Sequence, residues 1–166
     1  LIISYMVKMV ISAQAIDQAE LLRSQTAERL QRDRIVTIVN NLSDAIISTD
    51  RNGIISLYNA SALNLFDTNT DLAGKCIDDF ISIVDKNKQP FKFADKLHSA
   101  KTTQYRDDLT ARISNESIRL GATYSPIRST NSVSDDGYVI ILRDITKQKS
   151  LDDERDEFIS VVSHEL

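Results

Sequence analysis

No glycine or proline interrupts residues 11–41 or residues 147–166, while the apolar pattern between these stretches changes repeatedly. The first stretch is rich in Ala, Gln, Glu, Leu and Arg, which are good helix formers. Ile11, Ala15, Ala19, Leu22, Leu30, Ile35, Ile38 and Leu42 return at steps of roughly three or four, with one gap at Thr26. About thirty residues of helix reach about 45 Å. Such a helix has nothing of its own to bury that stripe against, which predicts pairing with a second copy in a parallel homodimer. From Ile35 onward it could instead fold back on the segment that follows.

Near Leu42 the periodicity shifts. Ala45 to Thr49 reads as a short strand, Asp50-Arg51-Asn52-Gly53 as a turn, and Ile54 to Tyr58 as the returning strand. Asn-Gly supplies the positive φ that a tight hairpin needs. Asn59 can cap a helix from Ser61 to Phe66, and Thr70 can cap one from Asp71 to Gly74. Ile77 to Val84 carries Phe80, Ile81 and Val84 on one helical side. Pro90 fits the first turn of a helix to about Ala100, with Phe91, Ala94 and Leu97 or His98 facing in.

The last third is β. Thr103 to Ile113 alternates, with Tyr105, Leu109, Ala111 and Ile113 on one face and Asp107 breaking it. After a Ser114-Asn115 turn, Ile118, Leu120, Ala122 and Tyr124 alternate. A polar loop, Ser129 to Gly137, leads to Tyr138-Val139-Ile140-Ile141-Leu142, apolar on both faces and therefore a central strand. The core covers one face; the N-terminal helix or a partner subunit covers the other. Asp144 is placed to cap a helix from Ile145, which joins strand and final helix with little slack. The whole is an α+β pattern with an antiparallel sheet.

The 166 residues suffice for one domain plus extensions. A net charge of -4 without a basic stripe argues against nucleic acid. The single cysteine, Cys76, has no partner for an internal disulfide, which fits a reducing cytoplasm. No metal-ligand spacing stands out. The apolar opening, Leu1 to Ile11, is too short to span a bilayer and contains Lys8. It is either the cytoplasmic end of a transmembrane helix or a buried helix seam.

The final helix closes on Arg155-Asp156-Glu157-Phe158-Ile159-Ser160-Val161-Val162-Ser163-His164-Glu165-Leu166. Phe158, Val161, Val162 and Glu165 recur at helical spacing, and Leu151 extends the apolar side backwards. His164 is followed directly by an acid. A neutral imidazole is a competent nucleophile, and a neighbouring carboxylate can take its other ring proton as an N–P bond forms. On spacing alone, the simpler reading is a surface histidine on a coiled coil.

Two resemblances bear on this choice. The order of elements from about Ile35 to Lys149 resembles a PAS domain. Its carriers are Asp44-Ala45-Ile46-Ile47-Ser48-Thr49-Asp50, the Asn52-Gly53 turn, Tyr58-Asn59 followed by Ala60, Leu63 and Phe66, and Arg143-Asp144-Ile145-Thr146. Asp67 stands where the family usually has Gly. The last dozen residues resemble the phosphoacceptor box of sensor histidine kinases. Together they resemble a PAS-containing sensor histidine kinase of a two-component system.

This resemblance implies a five-stranded antiparallel sheet with short helices on one face, flanked by coiled-coil helices. The implied divisions are a signalling helix over 1–34, a PAS sensor over 35–146, and the start of a dimerisation and phosphotransfer helix over 147–166. It implies His164 as phosphoacceptor, Glu165 as its base, and Asp144, Ile145 and Thr146 as the signal junction. PAS domains often hold a ligand between sheet and short helices, so His98, Tyr105, Asp107 and Tyr124 are candidate cleft residues for a small molecule. Haem, which would need His98, and flavin, which Cys76 in Gly-Lys-Cys-Ile does not suit, are not expected. No nucleotide-binding box is visible, so ATP and Mg belong to a separate kinase domain. Implied partners are that ATP-binding domain, a response regulator and a second copy. The region is expected in the cytoplasm of a bacterium, with the parent at the inner membrane. The alternative is a stand-alone ligand-binding module whose helices are dimer handles.

Overall fold

The computed structural model describes residues 2–128 and 137–166. The expected loop from Ser129 to Gly137 lies outside the described residues except for Gly137. The chain divides into two compact units, one ending at Asn41 and one running from Leu42 to Leu166.

The first unit is a single helix, α1 (Ile2–Asn41), 40 residues long. It begins well before Ile11, because the apolar opening lacks breakers as well. Its predicted seam is bare: Leu22 and Leu30 are more than half exposed, and no residue of the helix is buried.

The second unit is built on a seven-stranded antiparallel sheet rather than the five strands expected. In chain order it contains β1 (Ala45–Thr49), β2 (Ile55–Tyr58), α2 (Ala60–Leu65), one 3-10 turn (Ile77–Asp79), β3 (Ser82–Val84) and β4 (Pro90–Phe91). It continues with α3 (Phe93–Leu97), β5 (Gln104–Ile113), β6 (Glu116–Ile127), β7 (Gly137–Asp144) and α4 (Thr146–Glu165). The strand order is β2-β1-β7-β6-β5-β3-β4.

The two added strands replace predicted helix. The Asp85 carboxylate accepts the amides of Asn87 and Gln89 at 2.8 and 3.0 Å, and Lys88 takes a positive φ of 61°. That side-chain turn closes a β3–β4 hairpin where Ile77 to Val84 and Pro90 to Ala100 read as two helices. Pro90, which has no amide to donate, therefore sits on an edge strand rather than in a first helical turn. Residues 71–74 form no helix either. Asp71 accepts the Ala73 amide, and Gly74, at φ 79°, donates to Ile55 and so lies against β2.

The first hairpin forms as expected. Asp50 accepts the amides of Asn52 and Ile54 at 2.8 and 2.9 Å, and Gly53 takes φ 80°. β7 is central, paired with β1 and β6 through Ile47↔Ile140 and Tyr124↔Ile140. Tyr138, Ile140 and Leu142 point into the core beneath α2 and α3, while Val139 and Ile141 are half-buried on the outer face. The entry to β7 is tight. A Cβ at Gly137 would come within 2.1 Å of the Thr49 carbonyl oxygen, and its φ of 147° also favours glycine.

The bare stripe of α1, together with exposed Phe158 and Val161 on α4, predicts a parallel dimer. Light scattering at micromolar concentration should return about twice the 18.7 kDa chain mass. A mass of one chain at all concentrations up to tens of micromolar would remove the seam argument.

Candidate functional site

The site most fully built is the joint between β7 and α4. Asp144 ends β7, and its carboxylate accepts the Thr146 amide at 2.9 Å. The helix starts at Thr146, one residue later than expected, with Ile145 as the residue before it. The cause is the ladder: the Ile145 amide donates to the Arg119 carbonyl at 2.8 Å, which holds Ile145 in sheet pairing. The Thr146 hydroxyl accepts from the Arg119 amide at 2.9 Å. The Ile145 carbonyl then accepts the first helical bond, from Lys149. Asp144 thus still satisfies one of the free amides of the first turn.

Ile145 is only 6 % exposed and folds back over Gly121. A Cβ at Gly121 would meet its Cγ2 at 3.3 Å, tighter than ordinary contact. Glycine here makes room for an apolar plug that fastens the helix start to the outer face of β6.

Three ion pairs surround this plug. Arg143 grips Asp44 through two donors, the Nε–Oδ1 distance being 2.8 Å. Lys149 of α4 meets Asp107 of β5 at 2.7 Å, and Arg119 of β6 meets Asp153 of α4 at 3.1 Å. The hydrogen bond from Arg143 holds the Asp44 carboxyl below its ordinary range. The one to Asp107 raises the Lys149 ammonium above its own.

α4 carries His164 and Glu165 in its last turn, both exposed. Successive positions lie about 100° apart around a helix. Phe158, Val161 and Val162 leave the preceding turns apolar and open.

The four candidate cleft residues do not converge. His98 is exposed at the end of α3, and it is Leu97 that faces in. Tyr124 is buried and packs edge-on against Phe93 at 6.0 Å, and burial raises its phenol pKa. Tyr105 is 67 % exposed, contrary to the alternation read from the sequence. The cause is an extra residue: Arg106 pairs with Ala122, but Leu109 pairs with Leu120. Three steps on β5 answer two on β6, a β-bulge. Before it, Arg106 is on the core side and Tyr105 outside; after it, Leu109 and Ala111 are buried. Asp107 therefore breaks no apolar face and points outward to Lys149. The interior between sheet and short helices holds Phe93, Leu72, Leu97 and Leu109, each almost wholly buried. Phe66 stacks on Phe80 at 5.9 Å nearby. Among the described residues, no group of three or more His, Cys, Asp or Glu could hold a metal ion.

The sequence profile of the PAS domain family matches residues 43–147. The chain belongs to the PAS domain family. Two curated relatives of the PAS chain are similar at 28 % identity. The sensor protein kinase WalK of Staphylococcus aureus strain Newman aligns over 86 % of this chain and 22 % of its own. The sensor histidine kinase WalK of Bacillus subtilis strain 168 aligns over 89 % and 23 %. The chain therefore spans less than a quarter of the length of these relatives. The PAS domain of an HTR-like protein from Haloarcula marismortui shares the fold, with a TM-score of 0.56 at 14 % identity over 74 % of this chain and 98 % of that one.

Sequence reasoning placed Asp144, Ile145 and Thr146 at the joint but overlooked Asp44, Arg119 and Lys149. Asp44 and Arg143 stood within the PAS-like motifs, so that pair had a signal. Lys149–Asp107 had none, because it depends on the bulge.

Two predictions follow from this geometry. Ile145→Ala should lower stability by about 2 kcal/mol. Gly121→Val should destabilise the wild-type chain and do so less in the Ile145→Ala background, because the clash partner is then gone. Urea melts of the two single variants and the double variant check this, and full additivity would refute the plug. Asp44→Asn should lose stability at pH 7. Because the folded pKa of Asp44 is depressed, its contribution is complete above the unfolded value of about 3.9 and fades as pH falls through the folded one. Melts at pH 7 and pH 3 should show the gap between variant and wild type shrinking at the lower pH.

Proposed function

We propose that this PAS domain is the sensor and relay segment of a two-component histidine kinase, and that His164 is its phosphoacceptor. The observation that carries the reading is continuity. A central strand of the PAS domain passes through a one-residue joint into a helix that runs without a breaker through Ser163-His164-Glu165. The names of the relatives, sensor kinases both, support it.

In this reading the neutral His164 imidazole attacks the γ-phosphorus of ATP. The N–P bond forms as the bond to the ADP oxygen breaks, and Glu165 takes the proton from the other ring nitrogen. The phosphoryl group later passes to an aspartate of a response regulator. ATP and Mg are held by a kinase domain outside residues 1–166, since phosphoryl transfer needs phosphate donors and metal ligands, and no nucleotide-binding box is visible in the sequence. The segment alone is inactive as a kinase, and the helices α1 and α4 make it a homodimer. Among the described residues no helix is long and apolar enough to cross a membrane. The open apolar face at Ile3, Met6 and Val10 is consistent with a membrane anchor adjoining α1, which would put the PAS domain on the cytoplasmic side.

The test is His164→Ala in the complete kinase incubated with labelled ATP. Acid-labile phosphate should disappear while the folded PAS domain is unchanged by melting. Label that persists on the variant would place the acceptor elsewhere. Asp144→Ala in the same protein should shift autophosphorylation several-fold, since losing a cap costs about 1 kcal/mol and signalling biases are of that size. An unchanged rate would remove the joint from the relay.

A further inference from the structure

The bulge in β5 sets three consecutive side chains to work on two sides of the sheet. Arg106 reaches Asp108 through two donors, Nε to Oδ1 at 2.6 Å and Nη2 to Oδ2 at 2.8 Å. Its guanidinium lies 5.4 Å from the centre of the Phe91 ring, at the rim of the core. Phe91 in turn packs edge-on against buried Phe93 at 5.2 Å, and Phe93 against Tyr124. Asp107, between the two, points to the opposite face and holds Lys149 in the first turns of α4.

We propose that Arg106, Asp107 and Asp108 form a relay, in which the half-buried Arg106–Asp108 pair at the rim beside Phe91 sets the grip of the Asp107–Lys149 pair on α4. The physical basis is the bulge. The extra residue of a bulge is left out of the ladder, so strand pairing does not fix the backbone there as it does in the regular stretch of β5. The bidentate Arg106–Asp108 fork is the geometry-demanding contact that fixes the backbone here, because a planar guanidinium donates to both oxygens of a carboxylate in few orientations. When the fork lets go, the backbone at Asp107 turns and its carboxylate moves relative to Lys149. Repacking around Phe91 and Phe93, by whatever stimulus, thus reaches α4 without passing along β7. Asp107 and Arg106 are positioning residues in this account; neither performs chemistry. The relay holds whether or not α4 leads to a phosphoacceptor.

The test is hydrogen exchange on the 166-residue chain, read at the amides of residues 150–153 in α4 and referenced to Leu120 and Ile140 in the central strands. Lys149→Met should speed exchange in α4 about two- to fivefold, the scale of an exposed ion pair. Arg106→Met should give a comparable acceleration, although its side chain lies over Phe91. In the double variant the second change should add nothing, since both act through one contact. Wild-type exchange in α4 of Arg106→Met, or effects that add in full, would overturn the relay. Should Arg106→Met depress the melt, Arg106→Lys keeps the charge over Phe91 and loses only the fork. It should accelerate α4 in the same way, and α4 amides that stay at the wild-type rate in that variant would overturn the relay as well.

Discussion

The fold of the PAS unit depends on one buried amide. Asn59 is 1 % exposed, and its Oδ1 accepts from the amides of Ile46 and Ala62 at 3.0 and 3.1 Å. Its Nδ2 donates to the Asp44 carbonyl at 3.0 Å. One side chain therefore caps α2, fixes the start of β1 and ties β2 to both. An apolar residue there would take the side-chain acceptor from the Ile46 amide and the donor from the Asp44 carbonyl, and a buried polar group left without a partner costs about 1–3 kcal/mol. The consequence extends further along the chain, because the residue it fixes is Asp44. The backbone of Asp44 belongs to this cap, while its carboxylate belongs to Arg143 at the end of β7. The entry of the sensor and its exit are held by the two ends of a single residue.

The contacts at the joint differ in strength. Ladder bonds from Arg119 and the Ile145 plug over Gly121 fix where α4 begins. Burial of an isoleucine is worth about 1.5–3 kcal/mol, more than an exposed ion pair contributes. The helix start is therefore set by packing, and the Asp107–Lys149 and Arg119–Asp153 pairs tie the first turns of α4 to the sheet. A relay needs both: a fixed point that does not slip, and weaker contacts that can exchange without unfolding anything.

Most of the strand framework was legible because it rests on alternation that nothing interrupts. β1, the Asp50–Gly53 turn, β6 and the central β7 follow from period and turn chemistry, and Asn59 was visible as a cap. The errors have local causes. Ile77 to Val84 and Pro90 to Ala100 have helical spacing, but an Asp85-centred turn creates a hairpin that periodicity does not register. Tyr105 and Asp107 were placed on the wrong face because a single extra residue reverses the parity of every side chain on one side of it. At the site, the Asp144-Ile145-Thr146 motif was legible as a motif. Its ion pairs were not, since Asp107 and Lys149 lie 42 residues apart and meet only once the bulge has turned β5.

The proposed relay asks for energies that these contacts can supply. Allosteric couplings are typically about 1–3 kcal/mol, while a domain of this size is stable by about 5–15 kcal/mol. A device that worked by breaking the core would spend most of the domain's stability on each event and would leave the sheet open to aggregation. Contacts confined to the sheet exterior avoid this. Individually weak, they can be remade in a second geometry while Phe93, Ile140 and Leu142 stay buried. The bulge places such a contact on a strand whose Arg106 lies beside the Phe91 ring, so the two faces of β5 meet the aromatic rim and α4 within consecutive residues. Had β5 kept the parity of Leu109 and Ala111 along its whole length, Asp107 would have faced the core, and the sheet would have offered α4 no acid at that position.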